Sequence, residues 1–575
     1  MATNLKDIDG NVLLQHIRPV ESRTQIIPPN TTHRVSRPRA RAIYGFMLLV
    51  HLLLAIDMTS VAVALPTISR EMNASRTAVF SMGTVFSLSA TIFQQPVAEI
   101  SHVVGRKPAF LLVLAIFAIG SIVAATATNM AALLVGRALQ GFASGGSVLA
   151  AIVLTDLIDL RDRATWLSVQ NAIQALGLVS GPLVGASLLK VSSWRWLFWI
   201  NLPFIAASAA GLGILLGFDC PEAGVIPSLK KVDWVGILIF MPSAVAVLVP
   251  FTMAGIFFSW HSWKAILPLL LGICGLIALA IHQRHIAKSP MFRASLFSRW
   301  VTIFCFMGLG VFGICLNMIF YYLVVFWSGV RGFNEILTGV ALLPETVCIP
   351  LSAIACGLTM RKTGRIRWAM FVGWPLTSIS IGLLYFLDAK TPVAALMVIN
   401  AGVGLGAGVV SSSLNVAVLA TTKKEDNGHA MAMGWLFKSA GMCLGIAIGT
   451  AVFALQMENR LENIEDAGMT TESLLRVLKE VKNDPLGQDA IVRTLRILWA
   501  ICCGLSAVVG LLCASCKYPT LLELPATELQ TGQQTEQVET EQTLVLSGIG
   551  TSRTSRTSSS SGPVKAQHPY QHRQV

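Results

Sequence analysis

Apolar runs of about 20 residues recur along most of this chain, and a run of that length is what an α-helix needs to cross a bilayer. Fourteen can be marked, at roughly 42–64, 78–101, 108–127, 131–155, 165–189, 196–217, 233–255, 265–283, 302–326, 337–360, 367–387, 393–419, 430–454 and 494–515. Inside hydrocarbon every backbone polar group must be satisfied within the protein, and continuous runs of this length do so as helices. The expected fold class is therefore an all-α polytopic membrane protein. Composition agrees: 54% of residues are hydrophobic and 13% charged, against about 25% charged in soluble proteins.

The net charge of +13 does not point to nucleic acid, because the basic residues sit in tails and in short loops between apolar runs. Loops on one side carry clusters such as Arg106-Lys107, Lys230-Lys231 and Arg361-Lys362, and RVSRPRARA (34–42) precedes the first span. The other side carries only Arg70, Arg76, Lys190, Arg195, Lys264, Arg331 and Lys390 in its short loops. That bias places both termini in the cytoplasm, and the plasma membrane is the default location. Trp194, Trp196, Trp199, Trp260 and Trp263 fall at outer span boundaries, where an interfacial aromatic belt is expected. Asn73, in NAS, falls on the outer side and is a glycosylation candidate. The eleven cysteines lie mostly inside apolar runs and lack the spacing of a zinc site, so neither metal nor cofactor is expected.

Two stretches break the apolar pattern in the same way. SHVVGRKPAF (101–110) and RKTGRIRWAM (361–370) each put Gly-Arg between two spans, the first between spans 2 and 3 and the second between spans 10 and 11. If spans 7 and 8 are an insertion, the two loops occupy the same place in two six-span halves. Span 5 carries Gly177, Gly181 and Gly185, with Pro182 beside them; span 13 carries Gly441, Gly445 and Gly449. Glycines at i, i+4 and i+8 make a smooth helix face for close packing, and both series lie in the fifth span of a half. The expected organisation is a basic tail (1–41), a six-helix half (42–217), two inserted helices with linkers (218–301), a second six-helix half (302–516) with an outer loop at 455–493, and a polar tail (517–575). Repeated halves of this kind are the build of secondary transporters that rock about a central site.

Six segments, in order, carry a family resemblance: IDMTSVAVALPTI (56–68), AEISHVVGRK (98–107), GRALQGFASGG (136–146), ALGLVSGPLVGA (175–186), WRWLFWINLP (194–203) and KVDWVG (231–236). Together they resemble the major facilitator superfamily, in particular its fourteen-helix drug:proton antiporter branch of fungi. The resemblance implies a proton-coupled exporter of a small amphipathic compound (drug, toxin or secondary metabolite) working as a monomer in the lipid bilayer by alternating access. An importer of the same fold, such as one for iron-siderophore complexes, is the alternative. One departure stands out: the 98–107 motif usually has an aspartate where this chain has His102, and Glu99 is the nearest substitute.

Ionisable groups inside spans are costly and mark function. Asp57 in span 1 and Arg137 in span 4 each lie about seven residues from the outer end, on the order of 10 Å deep, so they can pair. They are the candidate proton-coupling residues, with Glu345 in span 10 as a further candidate and Lys438 as its conceivable partner. Gly105, Arg106, Lys107, Gly177, Gly181, Pro182 and Gly185 are the gating candidates, Arg106 reaching Asp156 or Asp162. Pocket candidates are Gln140, Asn171, Gln174, Asn317, Tyr321 and Trp435. An enzyme is disfavoured: His282 and His285 are the nearest thing to a ligand pair and lack a third ligand, and no phosphate-binding loop of GxxxxGK[ST] form occurs.

Overall fold

The structure, a computed structural model, describes residues 37–72, 74, 76–158, 160–217, 228–253, 258, 261–333, 335–388, 390–458 and 485–520. Most of both polar tails, Asn73, Trp260 and most of the loop at 455–493 lie outside the described residues. The described residues form fourteen successive helices: α1 (Arg37–Glu71), α2 (Arg76–Val104), α3 (Arg106–Ala125), α4 (Met130–Leu157), α5 (Leu160–Val191), α6 (Trp196–Leu215), α7 (Trp234–Met253), α8 (Trp263–His285), α9 (Trp300–Val330), α10 (Glu335–Thr363), α11 (Arg367–Leu384), α12 (Val393–Thr421), α13 (Asn427–Glu458) and α14 (Pro485–Ser515). Twelve are long and apolar enough to cross a membrane by themselves. The other two have visible reasons for falling short. α2 carries Gln94, Gln95 and Glu99, all buried in the bundle, and α11 has 18 residues and opens on Arg367. The set is compatible with fourteen spans.

Local sequence explains where helices start, bend and stop. Gly105 takes φ 105°, which an L side chain rarely adopts, and it turns the chain from α2 into α3. Gly364, in the second Gly-Arg loop, takes φ 67° and makes the corresponding turn from α10 to α11. Asn129 caps α4, its Oδ1 accepting the Ala132 N–H at 2.8 Å. α4 is broken after Gly145 and resumes at Val148, and α9 ends in a π-helical turn at Phe326–Val330.

Packing repeats the sequence repeat. The glycine face of α5 lies on α1: a Cβ on Gly177 would meet the Leu52 carbonyl oxygen at 2.9 Å, one on Gly181 the Ile56 oxygen at 2.9 Å, and one on Gly185 the Ser60 oxygen at 2.7 Å. The face of α13 lies on α9 in the same manner, with Gly441 against Gly310 and Gly445 against Ile314. Thus the first and fifth helices of each set of six are in backbone contact. α7 and α8 pack on each other, and α7 also touches α2 and α13. Asp233 binds this pair together: its carboxylate accepts from Gln283 Nε2 at 2.6 Å and meets His282 Nε2 at 3.1 Å. His282 is therefore engaged within the helix pair.

The aromatic belt needs one correction. Trp196 and Trp263 are exposed, as interfacial residues would be, but Trp194 is 1% exposed. Its indole N–H donates to Glu71 Oε2 at 2.7 Å, and Arg195 lies over its ring. An indole whose polar handle is satisfied inside the protein has no need of the headgroup layer.

Candidate functional site

Asp57 and Arg137 meet. Arg137 Nη1 donates to Asp57 Oδ2 at 2.6 Å, and both side chains are essentially without solvent exposure. The pair is the centre of a larger cluster drawn from five helices. Arg137 Nη1 also donates to Gln140 Oε1 at 2.9 Å, while Gln140 Nε2 donates to Asp57 Oδ1 (3.2 Å) and to Ser121 Oγ (3.0 Å). Asn201 Nδ2 adds a donor to Asp57 Oδ1 at 2.8 Å. The guanidinium carbon lies 4.3 Å from the centre of the Phe86 ring. Helical spacing makes this possible: Arg137 and Gln140, three apart on α4, share a face, and α1, α2, α3 and α6 close around it. Two opposite charges removed from water are costly unless their remaining hydrogen-bonding capacity is filled; here both carboxylate oxygens have donors, while Arg137 Nε has no hydrogen-bond partner. Gln140 thus belongs with Asp57, apart from the other pocket candidates. Asn201 and Ser121 were not singled out from the sequence. Asn201 left a signal, a lone amide in the apolar run 196–217; Ser121 left none.

Of the remaining pocket candidates, Trp435 reaches across the seam between the first six helices and the last six. Trp435 of α13 is buried, with its ring edge-on to His51 of α1 at 6.4 Å between centroids. His51 Nε2 is 2.7 Å from Gln170 Nε2, so Gln170 holds the histidine, and Asn171 Nδ2 beside it lacks a hydrogen-bond partner. Gln174, one turn on, is half-buried. Asn317 Nδ2 donates to the Met442 carbonyl at 2.7 Å and so ties α9 to α13, and the Tyr321 ring packs edge-on against Tyr322. Lys438 has Nζ 5.2 Å from the Trp435 ring centre and 5.8 Å from that of Phe312. Glu345 is fully buried on α10, and neither carboxylate oxygen has a hydrogen-bond partner. No ion pair joins it to Lys438 among the described residues.

At the end of the bundle where α1 begins, the expected cytoplasmic side, the seam is fastened. Glu99 Oε2 of α2 meets His429 Nε2 of α13 at 3.3 Å. The His102 ring stacks on His429, with centroids 4.0 Å apart and planes 14° from parallel. Arg106 Nη2 donates to His102 Nδ1 at 3.0 Å; since arginine has only donors, His102 is neutral at that nitrogen and carries its hydrogen on Nε2. Arg106 also pairs with Asp156 at 2.9 Å, one of the two expected carboxylates. The other, Asp162, pairs instead with Arg361 of α10 at 2.7 Å. Lys107 is buried at the start of α3, and Pro182 lies on an exposed face of α5. Further into the seam, Ser168 and Ser412 hydroxyls lie 2.7 Å apart and Gln94 Nε2 donates to Ser439 Oγ at 2.9 Å.

Comparison with known proteins matches this arrangement. The family model described as Major Facilitator Superfamily matches residues 47–446. The chain is 32% identical over 511 residues to "MFS transporter L2" of Phoma sp., covering 86% of each chain. It is 30% identical over 416 residues to "MFS efflux transporter aclA" of Aspergillus oryzae, covering 72% of this chain and 75% of that one. It is 25% identical over 529 residues to "Efflux pump FUS6" of Gibberella moniliformis, covering 89% and 93%. Among solved structures, the proton:xylose symporter XylE shares the fold with a TM-score of 0.54 at 13% identity, covering 85% of this chain and 99% of that one.

Proposed function

The chain belongs to the major facilitator superfamily, a family of membrane transporters, and from that premise we propose that it is a proton-coupled exporter of a small amphipathic compound. Relatives named as efflux transporters and pumps support the outward direction. The observation that carries the coupling is the buried Asp57–Arg137 pair with its amide donors. In this reading two halves, 42–217 and 302–516, rock about the seam as a monomer in the plasma membrane, with 218–301 as a flanking insertion and both termini in the cytoplasm. The seam is fastened on the cytoplasmic side, so this conformation faces outward. A proton arriving from outside on Asp57 removes an acceptor and breaks the Arg137 contact, which frees α1 from α4. Once the compound has left to the outside, that loosening lets the halves switch and carries the proton inward.

The test is whole-cell accumulation of a fluorescent amphipathic dye, with and without a protonophore. Wild type is expected to lower dye content only while the proton gradient stands, and Asp57→Asn to lose that dependence. Full pH-dependent transport by Asp57→Asn would remove the coupling role, and raised uptake on expression would reverse the direction.

Glu99 takes over the cross-half contact that His102 cannot make as an acid. Glu99→Gln or His429→Ala is expected to shift the resting protein toward the cytoplasm-open conformation. In a cysteine-depleted background with Ser168→Cys, modification from the cytoplasmic side should quicken about fivefold or more, the effect of losing one charged hydrogen bond. An unchanged rate would mean that the other seam contacts hold the gate.

A further inference from the structure

We propose that Lys438 is the site's anion-binding group, and that the exported compound is an amphipathic acid whose flat apolar body lies on Trp435 and Phe312. This deepens the export reading and rests on it. Lys438 is the twelfth residue of α13, about 16 Å along the helix from its start, near the middle of a bilayer core about 30 Å thick. That depth is beyond what a four-methylene stem can span to reach headgroups. A cation there is costly, and it needs either a carboxylate or a function.

No carboxylate answers it. Among the described residues Lys438 makes no ion pair: Asp57 is engaged by Arg137, Glu99 by His429 and Asp156 by Arg106, and Glu345 of α10, buried with both oxygens unpartnered, is not paired with it. Its surroundings are two aromatic faces, with Nζ 5.2 Å from the Trp435 centre and 5.8 Å from Phe312.

Position ties the lysine to the transport path. Ser439, the next residue, is held across the seam by Gln94 of α2, and Trp435, one turn back, meets His51 of α1. The buried amides of Gln94 and Gln95, and the amide of Asn171, each keep an atom without a hydrogen-bond partner. Gln94 thus offers a free carbonyl oxygen at the seam beside Ser439. A carboxylate placed against Nζ would neutralise a desolvated charge, and its hydrocarbon or aromatic body would replace lipid-like contacts on the two rings. A cationic amphiphile of the same shape would meet like-charge repulsion.

The experiment is equilibrium binding to the purified full chain at pH 7 with no gradient, read as energy transfer from tryptophan to pyrene. The probes are 1-pyrenebutyrate, 1-pyrenebutanol and 1-pyrenebutylamine, which differ only at the head. Wild type is expected to bind the acid at least about tenfold more tightly than the alcohol, with the amine weakest, as a hydrogen bond to a charged group warrants. Lys438→Gln should erase the acid preference while alcohol binding stays within about twofold, and Lys438→Arg should keep it. Equal wild-type binding of acid and alcohol, or a preference that survives Lys438→Gln, overturns the proposal. Should Lys438→Gln fail to purify as folded protein, the wild-type ranking with Lys438→Arg decides. An acid preference in binding without energised export would sink the export reading and leave the anion site standing.

Discussion

Arg137→Leu is expected to abolish transport and to lower stability by about 3–5 kcal/mol, since it leaves a buried carboxylate without its cation. Asp57 would retain only the Gln140 and Asn201 amides, and the Phe86 ring would lose the guanidinium above it. Arg137→Lys should rescue poorly. A single ammonium cannot both stack as a plane on Phe86 and donate to Asp57 and Gln140 in the arginine's geometry. The double substitution Asp57→Asn/Arg137→Gln separates the two effects: with neither charge present, much of the lost stability should return, while proton-dependent transport should not. Thermal unfolding in detergent and dye transport, measured on the same four proteins, check both halves of the expectation. A stable, active Arg137→Leu would show that the pair is dispensable.

Gly441→Val is expected to have an effect of comparable size by a different route. A Cβ at Gly441 would sit 2.9 Å from the Gly310 carbonyl carbon and 3.1 Å from its Cα, and backbone cannot rotate away as a side chain can. The helices α9 and α13 must separate, which opens the seam of packing along Gly445 and Ile314 as well. Overpacking commonly costs about 1–3 kcal/mol, and a contact of backbone on backbone belongs at or above the top of that range. Folded yield, followed by size-exclusion of a fluorescent fusion, should fall steeply. Gly339→Ala and Gly504→Ala, where nothing lies within 4 Å of the new methyl, should stay within about 0.5 kcal/mol of wild type.

Those glycines also show what could be read from the sequence. Their i, i+4, i+8 spacing named a packing face, and the structure identifies its partner as the first helix of the same six. Likewise Gly105 and Gly364, matched by place in the chain, are matched in backbone conformation. Span ends were less legible. Apolar length marks only the part of a helix in hydrocarbon, whereas hydrogen bonding carries α1 from Arg37 to Glu71 and starts α14 at Pro485, well beyond the runs at 42–64 and 494–515. Among contacts between distant segments, opposite charges at matching depth or at one loop made Asp57–Arg137 and Arg106–Asp156 legible, but those across the seam were not. Glu99 and His429 are 330 residues apart, and only the missing acid at position 102 hinted that something else must reach across the seam. Ser121 looked like any small residue of a membrane helix until Gln140 was seen to use its hydroxyl.

The unpaired Lys438 has an electrical consequence. Across Asp57, Arg137 and Lys438 the acid-loaded carrier bears no net charge, whereas the returning carrier, with a proton on Asp57 and no acid bound, bears two uncompensated positive charges, on Arg137 and Lys438. Moving one such charge across a full 100 mV is worth about 2.3 kcal/mol, and a charge that crosses part of the field gains that fraction. Voltage then bears on the return of the proton-loaded carrier from its outward-facing to its inward-facing form, a movement that an inside-negative membrane favours. The outward step with cargo is nearly blind to voltage, and the cell's electrical gradient serves to reset the pump.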